Sequence, residues 1–409
     1  MDYPKLRNID AIPVEMGRQR MVGLRDPSNL TDEVLVVPHS TLFLLRFFDG
    51  RHSLLDIQAE YMRHYGEMLF TDSLEKLIEE LDSRLFLESD RFREYQERIV
   101  QEFKGSRVRK ACHAEKGYPS DPEKLREMLE GFFIAPDGPG LPAEGSGPQR
   151  VAGVIAPHID LRSGGSCFAY SHKEMAESCD AELFIILGTA HVATKGFFTF
   201  TPKDFETPLG LVETDREFLK AVQEQDDVEI FQDEFIHRSE HSVEFQVLFL
   251  QYILGARRKF RIVPVLCGSL HEMVESGVRP MEVPAYKRSF EALRNAIEEN
   301  REKVCLIASA DLAHIGLRYG DESPPDHGMV AEVEEKDREM LHLAEAVNPE
   351  GFYRYLQAEG DKRRVCGFPS IYALLSLIKA REGKLLHYSR WQDTSLNSFV
   401  TFASMAFYK

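Results

Sequence analysis

Long apolar runs are missing from this 409-residue chain. The longest candidate, Val247 to Leu254, is interrupted by Gln251 and falls far short of the roughly 18 residues a membrane span needs. The opening MDYPKLRNIDAIPVEM carries acids and no apolar stretch, so it does not read as a signal peptide. No CxxC pair occurs: Cys112, Cys167, Cys179, Cys267, Cys305 and Cys366 are scattered, as expected of thiols in a reducing cytoplasm and not of a disulfide framework. Positive charge is short, 50 Lys and Arg against 67 Asp and Glu, giving −17 and arguing against nucleic acid as a partner. There is no Walker P-loop, no GxGxxG after a strand, no GxSxG and no HExxH. What remains is 43% hydrophobic and 29% charged, which excludes a disordered chain, collagen and a coiled-coil rod.

The length suggests two or three domains. Residues 1–100 read as one unit. An extended opening ends in Val34-Leu35-Val36-Val37, and Pro38 breaks the pattern. Ser40 to Phe48 is a short apolar helix stopped by Asp49-Gly50. Ser53, with Asp56 three residues on, has capping-box spacing, and Leu54, Ile57, Tyr61, Met62 and Tyr65 follow a period of 3.6. Leu74, Leu77, Ile78, Leu81 and Leu85 mark a third helix, and Leu85-Phe86-Leu87 can begin a small strand. Three helices with a β-edge resemble a winged-helix domain, more narrowly its PqqD-type peptide-binding variant; the pattern equally suits a small docking domain without a ligand. Residues 92–110 look like a charged connecting helix, with Lys104, Arg107, Arg109 and Lys110 on a solvated face. Ala135 to Gly147, rich in Pro and Gly, is a loop.

From residue 107 to 409 we expect a second domain. Strand-like runs at Val151–Ala156, Leu183–Leu187, Arg261–Leu266, Val304–Ala308 and Phe399–Phe407 alternate with helical stretches. The helices are expected at 215–225, 240–254, 289–299, 330–344, 349–357 and 369–379. This predicts an α/β layer fold around a buried, largely parallel or mixed sheet, the last strand pairing antiparallel.

One pattern recurs three times: an apolar strand runs into small residues and then a histidine. It delivers His158, His191 and His314. Ligands of open α/β sheets bind beyond the carboxyl ends of strands, so these imidazoles can converge on a metal if the strands are neighbours. Each histidine alone is more often a capped or satisfied structural residue. Asp311, three residues before His314, can be a ligand or can orient an imidazole. Cys366 precedes a helix starting near Pro369 and follows Arg363-Arg364, a setting that favours thiolate; the alternative is a buried thiol at a tight turn. Glu240 and Glu244 stand one turn apart with His241 between them. They can simply suit a helix N-terminus, or Glu240 or His241 can move protons in a pocket. Ser163-Gly164-Gly165-Ser166 reads as a tight turn.

Taken together the motifs resemble the Memo family, whose bacterial and archaeal members are called AmmeMemoRadiSam system protein B. The matching stretches are Ala111-Cys112-His113-Ala114, Ile155-Ala156-Pro157-His158, Leu187-Gly188-Thr189-Ala190-His191, Glu240-His241-Ser242-Val243-Glu244, Ile262-Val263-Pro264-Val265, Ser309-Ala310-Asp311-Leu312-Ala313-His314 and Val365-Cys366-Gly367. The resemblance implies a class III extradiol dioxygenase-like (Memo-like) domain with a mixed central sheet. It implies His158, His191 and Cys366 as metal ligands, with Asp311 and His314 close by. The dioxygenases use two histidines and a glutamate, so a thiolate here argues against ring cleavage. In related Memo proteins a second histidine often follows the one at 191; here Val192 does.

The expectation is therefore a metal-dependent redox protein holding iron, with copper or zinc as alternatives. His314 and His241 would move protons and Asp311 would fix an imidazole tautomer. The family name implies a radical-SAM protein and an AMMECR-type protein as partners, and a peptide or modified residue as substrate. The alternative is a non-enzymatic protein binding a peptide or phosphopeptide in the same pocket; zinc hydrolysis is a third possibility. Neither nucleic acid nor membrane is expected as a partner.

Overall fold

The computed structural model describes residues 1–16, 19–28, 30–143, 150–225, 229–255, 257–300 and 304–409. Its internal contacts divide the chain into two units, Met1–Gly105 and Ser106–Lys409. Among the described residues, no helix is long and apolar enough to cross a membrane.

The first unit opens with an antiparallel sheet of β1 (Asp10–Met16), β2 (Gln19–Arg25) and β3 (Val34–Pro38), paired in that order. Four helices follow: α1 (Thr41–Leu45), α2 (Leu54–Tyr65), α3 (Thr71–Ser83) and α4 (Asp90–Gly105). Alternation along β3 turns Leu35 and Val37 inward, where they share a core with Leu44, Ile57, Leu74 and Leu81. The α2 cap is the capping box anticipated from Ser53 and Asp56, and Gly66 ends the helix in the left-handed region. The single extended opening expected from sequence is thus a three-stranded sheet. At Leu85–Leu87 the chain makes only an isolated bridge, Leu6 to Leu87, not a strand.

The second unit begins with β4 (Val108–Arg109), α5 (Pro122–Ile134), β5 (Val151–Ala156), α6 (Leu161–Ser178) and β6 (Leu183–Thr189). Three short strands follow, β7 (Phe198–Phe200), β8 (Asp204–Thr207) and β9 (Gly210–Val212), then α7 (Arg216–Gln225) and α8 (His241–Leu254). Next come β10 (Arg261–Cys267), α9 (His271–Ser276), α10 (Pro284–Glu299), β11 (Val304–Ser309) and β12 (Asp311–Gly316). The unit closes with α11 (His327–Glu345), α12 (Pro349–Ala358), α13 (Phe368–Leu377), β13 (Glu382–Asp393) and β14 (Ser398–Tyr408).

The central sheet runs β12-β14-β5-β11-β6-β10-β7, with β13 also on β14. Neighbours β5, β11, β6 and β10 are parallel, whereas β14 joins β5 antiparallel. The sheet is mixed, as expected. Its central strands are buried on both faces because helices cover both. Ile185 and Leu187 of β6 face a core built with Phe290, Phe352 and Leu374. Phe184 and Ile186 face the other, with Leu129, Phe168 and Phe249.

Sequence reading missed α6. Gly164 and Gly165 lie inside it and are there for close packing. A Cβ on Gly164 would fall 2.3 Å from Ile159 Cγ2, and one on Gly165 would fall 2.3 Å from the Phe132 ring. His314 also differs from expectation: it is part of β12, which pairs antiparallel with β14, not of a loop. Of the Ala135 to Gly147 loop, residues 135–143 carry no helix or strand, and 144–147 lie outside the described residues.

Candidate metal centre

Parallel order places β11 between β5 and β6, in register at Ser309–Ala156 and Ala308–Leu187. His158 leaves the end of β5 and His191 leaves the end of β6, so both arrive at the same carboxyl edge. Two helices buried almost all round start there as well. Residue 240 caps α8, and α13 begins just after Cys366. Gly367 permits that approach: a Cβ there would lie 2.4 Å from Ala310 Cβ and 2.5 Å from the Asp311 carbonyl oxygen.

The result is three overlapping groups of donors. His158, His191 and Cys366 offer atoms all within 4.8 Å of one another, and so do Asp311, His314 and Cys366, and His191, Glu240 and His241. The shortest approach is Cys366 Sγ to His158 Nε2, 3.2 Å. The ring centroids of His158 and His191 are 5.1 Å apart.

Each histidine has its Nδ1 spoken for. His158 Nδ1 donates to the Ser309 carbonyl at 2.9 Å, and His314 Nδ1 donates to the Leu312 carbonyl at 3.1 Å. His191 Nδ1 donates to the Glu240 carboxylate at 3.0 Å. In the neutral rings this leaves Nε2 unprotonated, the form that binds a cation. The tautomer of His158 is therefore set by a backbone carbonyl and not by Asp311. Asp311 instead accepts the backbone N–H groups of His158 and Ile159, at 2.9 and 3.2 Å. It anchors the segment and leaves Oδ2 3.7 Å from His158 Nε2.

Electrostatics follow from burial. Desolvation, then the neighbouring His191, pushes the His158 pKa down to about 3, so its ring is neutral. Burial raises the Asp311 carboxyl to about 6. For Glu240, burial acts upward, but the His191 charge and hydrogen bond outweigh it and hold the carboxyl well below its ordinary value. Burial likewise opposes a charged His191, yet Glu240 prevails and raises it. Burial, then Asp311, pushes the Cys366 thiol well above its usual value. The thiolate expected from Arg363 and Arg364 is not supplied by them. Arg363 turns to Asp337 and Glu359, and Arg364 turns to Asp321. A cation at the sulfur would draw off its proton.

Glu240 and Glu244 do different work. Glu240 accepts the Ser242 N–H as the α8 cap while holding His191. Glu244 is spent inside the protein on Arg109, Tyr118 and the backbone of Cys112 and His113. Arg109, read from sequence as solvated, is 1% exposed because of this pair. His241 stacks on His191 at 4.8 Å and stands 5.5 Å from His158. Burial first holds it neutral, well below its ordinary pKa. His113 donates to the Ser239 carbonyl at 3.0 Å and lies 5.7 Å from His241.

His158, His191, His241, Asp311 and His314 line an open cleft of about 560 Å³, whose walls include Tyr319 and Trp391. Sequence reading gave no signal for either aromatic, since neither sits in a motif. A larger cleft, about 680 Å³, lies at the opposite ends of β6 and β10. It has no histidine or cysteine in its lining, so donor chemistry favours the smaller one.

The family model for Memo-like protein matches residues 109–406. The chain belongs to the Memo family. Among its relatives is a MEMO1 family protein of Methanopyrus kandleri, 32% identical over 297 residues, covering 71% of this chain and 95% of that protein. One of Pyrococcus furiosus is 29% identical over 315 residues, covering 74% and 99%. One of Aquifex aeolicus is 26% identical over 412 residues, covering 99% of this chain and 100% of its own. The Memo match covers the unit that carries the donor cluster, and the Aquifex aeolicus relative extends across the first unit too.

Proposed function

We propose that this Memo-family chain is a metal-dependent redox protein, with iron as the metal and copper or zinc as alternatives. The observation that carries this reading is the gathering of two imidazole nitrogens and one sulfur within 4.8 Å. That donor set fits the group: it is mixed nitrogen and thiolate, which suits these metals and not magnesium or calcium. Bound there, iron or copper would supply one-electron and oxygen chemistry.

His158 and His191 would be the nitrogen ligands, their orientation fixed by Ser309 and Glu240. Cys366 would be the thiolate ligand. Asp311, with a carboxyl pKa of about 6, is suited to exchange a proton near neutral pH, and His314 beside it and His241 beside His191 are neutral bases. A radical-SAM protein and an AMMECR-type protein would be partners in modifying a peptide. The first unit would present that peptide in the manner of PqqD: β3 is an edge strand of its sheet, and Val34 and Val36 lie on its exposed face. Six free cysteines suit a reducing cytoplasm.

Anaerobic purification followed by elemental analysis tests the reading. We expect about one transition-metal ion per chain in the wild type and a stoichiometry near zero in Cys366→Ala. No stoichiometric metal in the wild type, or unchanged metal in the variant, defeats it.

A second reading is non-enzymatic peptide or phosphopeptide binding in the same cleft, favoured by Arg162 and Arg318 on its rim beside Trp391. Tight peptide binding by the metal-stripped protein, with no oxygen uptake by the loaded one, would select it.

A further inference from the structure

Cys366 sits in the loop 361–367, between α12 and α13. The loop enters the left-handed region at Asp361 (φ 47°) and Arg364 (φ 52°), neither of them glycine. Such a path persists only when the surroundings hold it. On the cleft side it is tied to β12. His314 N–H donates to the Arg363 carbonyl at 2.8 Å, and Gly367 N–H donates to the Asp311 carbonyl at 2.9 Å. Arg364 Nη1 donates to the His314 carbonyl at 3.2 Å.

The Arg363 side chain points the other way and is 4% exposed. Its guanidinium pairs with Asp337 of α11 and with Glu359, the latter at 2.7 Å. Asp337 is fully buried and is a hub. Its second oxygen accepts the Tyr388 hydroxyl at 2.9 Å and the Thr401 hydroxyl at 2.6 Å. The Thr401 Oγ1 in turn accepts the Ala313 N–H at 2.9 Å, next to His314. One carboxylate thus ties together the Cys366 loop, β12, β13 and β14. Neither Asp337 nor Arg363 lines the cleft. A buried ion pair of this kind is weak evidence for stability, since apolar residues of similar volume often do as well.

We propose that Arg363, gripped by Asp337, is the positioning residue that holds the Cys366 sulfur against the His158 ring, which rests on the metal reading above for its consequence but not for its geometry. Two readouts on the full chain test it. One is Co(II) titration, following the thiolate-to-metal charge-transfer band. The other is the rate of Cys366 alkylation by iodoacetamide in metal-free protein, read by peptide mass mapping. Asp337→Asn keeps the shape of the hub and removes its charge. Arg363→Met removes the grip, and Arg363→Lys restores part of it.

We expect Asp337→Asn and Arg363→Met to bind Co(II) at least about tenfold more weakly, with most of the band lost and alkylation at least about tenfold faster. Arg363→Lys should fall between them and wild type. If Arg363→Met does not fold, Asp337→Asn and Arg363→Lys carry the test. Wild-type band intensity and alkylation rates in both of these would overturn the clamp while leaving the metal reading intact. A wild type with no thiolate band, whose variants still alkylate faster, keeps the clamp and removes the metal reading.

Discussion

Glu240 faces two ways. Its carboxylate caps α8 through Ser242 N–H and fixes the His191 ring through Nδ1. Glu240→Gln keeps the shape but loses the charge that raises His191. We expect metal affinity to fall about 10- to 100-fold, as for other partners of metal-binding histidines. A chelator competition titration measures this, and equal affinities would show that Glu240 serves only as a cap. The His158 Nδ1 bond to a neutral carbonyl keeps that ring's tautomer in the same variant. At this scale His158 and His191 are legible through their position after strands, a consequence of where α/β sheets leave room for ligands, whereas His314 lies within β12. The sequence did not disclose the partners of the first two, because Ser309 acts through a backbone carbonyl and Glu240 is 49 residues from His191 in the chain. Cys366 gains no charge from its neighbours in sequence for a related reason: Arg363 turns to Asp337 and Glu359, and Arg364 to Asp321.

Among the elements, α6 departs most from what its composition suggests. Two adjacent glycines read as a turn, yet the helix continues through them because Phe132 and Ile159 occupy the space of the missing side chains. Alanine would gain about 1 kcal/mol in helix propensity. Overpacking against the Phe132 ring should outweigh that, so Gly165→Ala is expected to lower unfolding free energy by about 1–3 kcal/mol in urea. A stabilised Gly165→Ala protein would mean that Phe132 moves freely. The central strands β5, β6, β10 and β11 were legible because they are continuous apolar runs. The strands β7, β8, β9 and β13 were not, being short or half-exposed with no strict alternation. Their pairing depends on partners distant in the chain.

For the molecule as a whole, two buried histidines outside the donor cluster set a pH response. Burial lowers His172 and His237 to about 4. His172 Nδ1 donates to the Phe168 carbonyl and His237 Nε2 to the Thr199 carbonyl, leaving His172 Nε2 and His237 Nδ1 without partners. A proton there would be buried unsatisfied. In the unfolded chain both rings titrate near 6.5. The unfolded state therefore binds more protons below that pH, and stability falls as pH drops from about 6.5 toward 4, by roughly 3 kcal/mol for each ring. Above 6.5 neither contributes a slope. Urea midpoints across this window measure the effect, and His172→Phe should remove one ring's share. A variant with the wild-type slope would exclude His172 as a source.

One consequence of the strand order concerns synthesis. β14, buried along its whole length, pairs with β13 along one edge and with β12 and β5 in turn along the other. A nascent chain can pair β5 with β11 and bring His158 near Cys366 while β14 is still inside the ribosome. Until that strand emerges, β5 presents a bare apolar edge, and a holding chaperone or a neighbouring nascent chain competes for it.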